Sequence, residues 1–456
     1  MDPDKVAGRQ IVVVGAGMAG LVAAVQAQEL GADVVVLEKG DDPGGSMAMS
    51  GGTVWCPRTY EDVRRLVPRG DPELALTLVS SYLDGVSWLK GIGTGLREMH
   101  AEAYRGIDRY AYELYPGPQD FTRHMVSRLN GIGGRLMTKA AASELLLDDA
   151  GAVSGVRVDT PGGAETVPAA AVILTTGGFQ GNPELMSRYF GRWSDRLVLR
   201  ANLNSTGDGF LMGSAVGAAP SRAMSSFYGH LISAPPAVVP RDSFTLYTHY
   251  YSQHAILLDL RGERFVDESR CDETNAEAVV RRPEAMAFLV FDEEVHTKYG
   301  HRSAGPGAPE YSVFEKCRSL GGVSTVAPTL EDLAAELQAG GVYGRGVLRT
   351  IQEYNEAVTE GRGPELCISR AEFPNPVATP PFYALAVTAG VTITYGGLRI
   401  NSDAQVIGRS GRPVRGLYAA GADAGGIYNE GYAGGLAMGM VFGRQAARHA
   451  VSYVAA

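Results

Sequence analysis

The sequence holds only four cysteines in 456 residues, Cys56, Cys271, Cys317 and Cys367, and no two of them form a C-x-x-C pair. Neither a zinc site nor a disulfide framework is indicated, and without C-x-x-C-H there is no attachment site for c-type haem. No apolar run reaches the ~18 residues that a membrane span needs. The opening Met1-Asp2-Pro3-Asp4 lacks the basic start of a signal peptide, so a reducing cytoplasm is the expected compartment. Basic charge is also in short supply: 41 Lys and Arg stand against 50 Asp and Glu, a net −9, with no long Lys/Arg run. Such a chain is a poor binder of nucleic acid or of an anionic membrane. Internal repeats and low-complexity tracts are absent.

What is present is the composition of a folded protein, 45% hydrophobic and 20% charged, long enough for two or three domains. Glycine is abundant, 59 residues, which points to many tight turns and close backbone approaches. The first fifty residues show why. Ile11-Val12-Val13-Val14 reads as a buried parallel strand, and an Ala-rich helix runs on to about Leu30. Between them lies Gly15-Ala16-Gly17-Met18-Ala19-Gly20. Gly31 closes the helix, Val34-Val35-Val36-Leu37 is a second strand, and Glu38 stands at its end. This is a βαβ unit with a G-x-G-x-x-G turn and an acid about 20 residues on. Gly15 permits the turn, Gly17 lets a pyrophosphate reach the backbone, and Gly20 lets helix pack on strand. The helix N-terminus faces the phosphates, and Glu38 can accept both ribose hydroxyls. No second G-x-G-x-x-G follows a strand, so a built-in nicotinamide site is not encoded.

Further motifs follow in order. Glu38-Lys39 leads to Gly44-Gly45-Ser46 and Ser50-Gly51-Gly52. Thr175-Thr176-Gly177-Gly178 comes after the strand Val172-Ile173-Leu174, then Thr206-Gly207-Asp208-Gly209, and finally Gly421-Ala422-Asp423 near the C-terminus. These segments resemble the FAD-binding proteins of the fumarate reductase and succinate dehydrogenase flavoprotein family, and the resemblance covers essentially the whole chain. It implies an α/β fold: a Rossmann-like FAD-binding domain with an inserted α+β capping domain, substrate lying between them. It also implies FAD as the cofactor, contacted by the motif residues and by Gly435, Leu436 and Ala437. Some relatives link a His to the flavin just before the second glycine pair; Gly45 stands there, so non-covalent FAD is expected.

On this reading the FAD-binding domain occupies 1–221 and returns at 385–456, and the capping domain occupies 222–384. The early part has an amphipathic helix near Glu73 to Trp88. The inserted segment contains a strand–turn–strand pattern at Ala255–Asp259 and Arg261–Phe265, and a helical pair over 330–338 and 347–358. Thr329 is the N-cap of the first helix of that pair, with Asp332 at its third position. The Pro-rich stretch from Phe373 to Pro381 ends it.

The missing residues point to the chemistry. Fumarate reductases grip a dicarboxylate with His and Arg and deliver a proton from another Arg. The matching segments here are Thr392-Ile393-Thr394-Tyr395-Gly396-Gly397, Gly431-Tyr432-Ala433-Gly434-Gly435, and Phe291-Asp292 followed by His296. A buried dicarboxylate without cationic partners would cost several kcal/mol per charge, so fumarate and succinate are not the expected substrates. Tyr432 instead resembles the 3-ketosteroid dehydrogenases of the same superfamily. In those enzymes a Tyr hydroxyl and a backbone N–H, here near Leu436, bond the ketone oxygen and favour the enol. A second Tyr, from the capping domain, removes the α-proton. Thr245-Leu246-Tyr247-Thr248-His249-Tyr250-Tyr251 is the aromatic cluster ahead of the Ile-Leu-Leu-Asp strand. Read as a strand, it puts Tyr247, His249 and Tyr251 on one face and Tyr250 on the other. Tyr115, in Tyr115-Pro116-Gly117, resembles a loop that lines the steroid pocket. A tyrosine base needs its pKa lowered from near 10, which His249 or His296 could assist.

The resulting expectation is an FAD-dependent oxidoreductase that introduces a carbon–carbon double bond next to a ketone, without a metal. Its partners are a small-molecule ketone and an electron acceptor that the sequence does not encode, whether quinone, oxygen or a carrier protein. The alternatives are an enone or alkene reductase of fumarate reductase type and a non-catalytic flavin-binding electron-transfer subunit. Tyr432 and the full inserted segment argue against the last.

Overall fold

A computed structural model describes residues 10–100, 103–303, 308–344 and 346–456; the N-terminal Met1 to Asp4 lies outside the described residues. Along the chain, the elements that matter here are β1 (Gln10–Val14), α1 (Met18–Glu29), β2 (Asp33–Leu37), β3 (Ala171–Leu174), β4 (Phe227–Ser233), α2 (Asp272–Val280), β5 (Phe382–Thr394), β6 (Pro413–Ala419) and α3 (Gly435–Ala455). They fall into two compact units. The first comprises residues 1–185, 201–227 and 393–456, and the second 186–200 and 228–392.

The first unit is built on a six-stranded sheet in the order 405–407, β6, β3, β1, β2, 135–137. All pairs are parallel except that of the edge strand Gln405–Ile407 with β6. β1 and β3 are buried along their whole length, as expected of β-branched runs covered on both faces. Two helices pack at backbone distance. A Cβ on Gly443 of α3 would stand 2.6 Å from the Ala19 carbonyl oxygen of α1, and one on Gly439 would stand 3.3 Å from Met18. Only glycine allows that approach.

The second unit is α+β. Strands 198–199, β5, Ala287–Asp292 and Ile256–Leu258 form its sheet in that order, with β4 and Ser324–Ala327 also pairing with β5. Helices Leu330–Ala339 and Val347–Thr359 pack on a core that includes Ile256, Leu258, Phe288 and Val290. The Thr329 hydroxyl accepts the Asp332 N–H at 3.1 Å, the cap read from the sequence. The amphipathic helix of the first unit runs Pro72–Gly91, capped by Asp71.

One expectation is corrected. The stretch 245–251 is not a strand: a 3-10 helix covers Arg241–Tyr247, and a second covers Ser252–His254. Local bonds outcompete a sheet ladder there, since the Thr248 hydroxyl donates to the Phe244 carbonyl (3.0 Å) and the Ser252 N–H to the His249 carbonyl (2.9 Å). The alternation that would have put Tyr247, His249 and Tyr251 on one face does not exist. The second half of the strand–turn–strand pattern is reduced to a single bridge, Leu258 to Arg264.

Candidate functional site

The turn after β1 has the geometry of a phosphate cradle. Gly15 has φ +104°, and a Cβ there would stand 2.4 Å from the Thr175 carbonyl oxygen; one on Gly20 would stand 1.9 Å from that of Gly15. Gly17 is the opposite case, with nothing nearer to its Cβ position than the Gly44 carbonyl oxygen at 3.9 Å. It caps α1 with no side-chain hydrogen bond and no acid in the first turn, which leaves the helix start facing open space. Gly45 borders the same space, its Cβ position 3.5 Å from the Gly17 Cα. The Gly44 N–H donates to the Ala16 carbonyl at 2.8 Å, holding the second glycine pair against the first turn. Met18 and Ala19 are buried behind it. A side chain at Gly17 would project into this space.

Glu38 ends β2 nearly buried and accepts two backbone N–H groups, from Ala16 at 2.9 Å and from Gly40 at 2.7 Å. Each carboxylate oxygen retains a second lone pair for a hydroxyl donor. Lys39 turns away, donating to Asp208 (2.9 Å) and to the Thr206 hydroxyl (2.6 Å), so Lys39 and Asp208 fasten two motifs to each other. Ser46 accepts the Asn202 N–H (3.1 Å), Ser50 accepts that of Gly52 (3.1 Å), and Gly51 has open space around it.

Asp423 is fully buried and ties three motifs together. It accepts the Thr176 N–H (2.5 Å), the Thr176 hydroxyl (3.0 Å) and the Gly178 N–H (3.2 Å), while that hydroxyl accepts the Gly209 N–H (3.0 Å). Burial pushes its carboxyl up to about 6 against the pull of these donors. Gly177 and Gly178 both take positive φ, the Gly178 amide turning to Asp423, and Gly421 lies against Ala19.

Tyr432 stands at the start of α3. Its hydroxyl accepts the Gly435 N–H at 2.6 Å, and its ring meets the edges of Trp55 and Tyr428, each 5.6 Å away between centroids. Gly434 has no room for a side chain, the Trp55 carbonyl oxygen being 1.9 Å from its Cβ position. Ile393 packs beside Gly435, Leu436 is half-buried, and Ala437 is buried. The Tyr432 phenol thus sits on the first N–H of α3, beside the start of that helix. One cation borders this wall. The Arg109 guanidinium lies 4.9 Å from the Trp55 ring and 5.5 Å from that of Tyr104, with its Nε lacking a partner among the described residues.

The second-unit candidates divide sharply. Tyr251 is buried, its phenol 3.3 Å from His249 Nδ1, and burial raises it well above the ordinary tyrosine value, which makes it a poor base. His249 is pushed down to about 3 by burial, and its other nitrogen meets Cys317 Sγ at 3.6 Å. His296 bonds the Ser312 hydroxyl (2.9 Å) at the start of a neighbouring helix. Tyr247 lies under Lys316, and Tyr250 packs between His230 (4.8 Å) and the Arg302 guanidinium (4.3 Å). In the first unit, Tyr115 is 53% exposed under Arg97. The sequence reading passed over a hydrogen-bonded chain, Tyr228–His230–Asp272. Its signal was a Tyr-x-His pair, two residues apart on one face of an apolar strand.

A family profile described as FAD binding domain matches residues 10–436. The chain is similar to a probable fumarate reductase of Shewanella frigidimarina, 26% identical, over 97% of this chain and 75% of that protein. It is also similar to a vinyl phenol reductase of Lactiplantibacillus plantarum, 28% identical, over 97% of this chain and 96% of that protein. Among solved structures, the 3-ketosteroid delta1-dehydrogenase of Sterolibacterium denitrificans shares the fold, with TM-score 0.77 and 20% identity over 97% of this chain and all of that one. No described helix is long and apolar enough to cross a membrane.

The two bonds to Glu38 generate a prediction. Glu38→Ala removes the acceptor of two backbone donors and the carboxylate expected to hold a ribose, whose charge-assisted bonding contributes about 1.5–3 kcal/mol. FAD affinity should fall by roughly 10–100-fold, with saturation restored by excess cofactor; an unchanged affinity in a fluorescence titration would remove Glu38 from the site.

Proposed function

Given that this chain belongs to the FAD binding domain family and is an FAD-dependent oxidoreductase, we propose that it acts on the carbon–carbon bond next to a ketone, oxidising a cyclic ketone to the enone. The observation that carries this reading is the Tyr432 hydroxyl seated on the Gly435 N–H at the head of α3, inside an aromatic wall. A neutral hydroxyl donor matches a neutral ketone and strengthens as the oxygen gains enolate charge. The helix N-terminus adds a positive field at the same point. Trp55 and Tyr428, both buried, pack around the Tyr432 ring and keep water from its sides.

The cofactor would be held by residues already in place: the start of α1 with Gly17 and Gly44 to Ser46 at the diphosphate, and Glu38 at the ribose. Bound FAD supplies the two-electron acceptor, or the donor in the reverse direction. With Gly45 where some relatives carry a linking His, the flavin is held non-covalently. Acid precipitation should therefore leave it in the supernatant, and yellow colour staying with the pellet would refute this.

The reverse reaction, reduction of an enone or activated alkene, is the second reading. The names of the two reductases above favour it, and so does Arg109, a guanidinium able to meet an anionic substituent beside the same wall. Both directions use Tyr432 in the same way.

Tyr432→Phe tests the shared core. Flavin reduction by a cyclic ketone in stopped flow should slow by ~10²–10³, the contribution of one oxyanion donor. The lost acceptor for Gly435 should also lower stability by about 0.5–2 kcal/mol, as for a lost helix cap. A rate within threefold of wild type, with the same stability loss, would assign the hydroxyl to capping alone.

A further inference from the structure

The second unit holds a cavity of about 490 Å³ that has no part in the chemistry proposed above. Its size falls within the roughly 300–1,000 Å³ of small-molecule sites. Three segments distant in sequence build it, all within this unit: Arg192 and Trp193, Asp259 and Arg261, and Arg281 and Arg282. Each is fixed by a different local device. Asp259, buried just past the strand Ile256–Leu258, accepts the N–H groups of Arg261 (2.8 Å) and Glu263 (3.3 Å), closing the turn that presents Arg261. Arg281 is the C-cap of α2, and the Arg282 N–H donates to the Val279 carbonyl at 2.9 Å. The Trp193 ring meets the guanidiniums of Arg192 (4.5 Å) and Arg196 (5.0 Å). Arg196 in turn bonds Glu284 at 2.5 Å, which ties the loop to the segment after α2.

Four arginines line this cavity with one carboxylate. The Asp259 charge and the Tyr343 phenol both act on Arg261. Arg192, Arg281 and Arg282 have no ion pair among the described residues. Arginines elsewhere in the unit do find acids: Arg318 pairs with Glu315, Arg349 with Glu353 and Arg362 with Glu360. Arg282 Nε is buried without a hydrogen-bond partner among the described residues, although its guanidinium lies 5.2 Å from the Phe265 ring. A buried charged donor left unpaired is costly, and such a group calls for a ligand or an ordered water. The C-terminus of α2 favours cations, which accounts for Arg281 and Arg282. It does not account for Arg192 and Arg261, which two other segments bring to the same cavity.

We propose that this cavity binds an oligophosphate, a group of two or more linked phosphates. The planar guanidinium fork takes two phosphate oxygens at once. A terminal phosphate carries about 1.5–2 negative charges near neutral pH, so a linked pair matches three unpaired arginines. A single carboxylate would leave most of that charge uncompensated. The residues are distinct from those of the glycine cradle at the start of α1, which belong to the first unit. Bound here, the ligand joins the 192–196 loop, the Asp259 turn and the end of α2 through one set of ionic contacts.

Calorimetric titration of the holoenzyme, in EDTA and at low salt, tests this with inorganic diphosphate and ADP as probes. Holoenzyme keeps the cradle at Gly17 filled, and the flavin spectrum reports any displacement of FAD. Both probes should bind saturably at one site per chain with FAD retained. Equal affinities identify a free oligophosphate as the ligand, and tighter ADP identifies a nucleotide. Arg281→Gln, at an exposed position, should weaken binding ~10-fold or more, and adding Arg192→Gln should abolish it. Arg349→Gln, the same charge change on the helix Val347–Thr359, should leave binding unaltered. No saturable binding of either probe at millimolar concentration, or binding only with flavin release, overturns the proposal. Binding that survives the double substitution, or that Arg349→Gln weakens as much, overturns it equally. Citrate binding as tightly as diphosphate would overturn the assignment to phosphate.

Discussion

The contact on which the first unit depends is the one between α1 and α3, two helices whose backbones meet directly at Gly443. Gly443 sits against the Ala19 carbonyl and Gly439 against Met18, so α3 can pass α1 only in this register. Because Gly439 lies against the first residue of α1, the head of α3 at Gly435 lies about one turn, ~6 Å, further on. Two helix N-termini are thereby held near each other, one at the glycine turn and one at Tyr432. A methyl group at Gly443 would have to push the two backbones apart, and overpacking of that kind typically costs about 1–3 kcal/mol. The effect on function would exceed the effect on stability, since both ends of the site are positioned by this packing.

The second unit uses buried charge in two different ways. Glu268, fully buried, accepts from Arg264 (3.0 and 2.5 Å), Arg370 (3.2 Å) and the Leu257 N–H (2.9 Å). Every acceptor site is occupied by a donor that stays charged or is backbone, so this cluster has no proton to move; it is a clamp, costly to break by removing one member. The Tyr228–His230–Asp272 chain joins a buried imidazole and a buried carboxyl to a half-buried phenol, groups that can each give or take a proton.

The βαβ start was legible residue by residue because its determinants are local: β-branched runs, positive-φ glycines and an acid at a strand end. The Thr329 cap was legible for the same reason, a hydroxyl and the N–H three residues on. The stretch 245–251 misled because aromatic and β-branched residues favour a strand, while Thr248 and Ser252 made local bonds that no periodicity shows. His230 and Asp272 lie in different elements, and nothing in the spacing of either says that a strand and a helix start will meet. Tyr432 was found by resemblance alone; that its hydroxyl accepts the Gly435 N–H is a matter of packing, since a turn of the ring in either direction is equally compatible with Gly431-Tyr432-Ala433-Gly434. The compact units also divide at 227/228 and 392/393, and take residues 186–200 into the second, because β4, β5 and the strand 198–199 belong to one sheet.

The central claim is that this site handles a ketone by neutral hydrogen bonding rather than a dicarboxylate by ion pairing. Anaerobic titration of the oxidised holoenzyme with cyclic ketones, followed at the flavin absorbance band near 450 nm, tests it most directly. The account predicts bleaching by at least one cyclic ketone with formation of the matching enone, and no turnover of succinate or fumarate. Rapid reoxidation of the reduced enzyme by fumarate, with no ketone able to bleach the flavin, would contradict it.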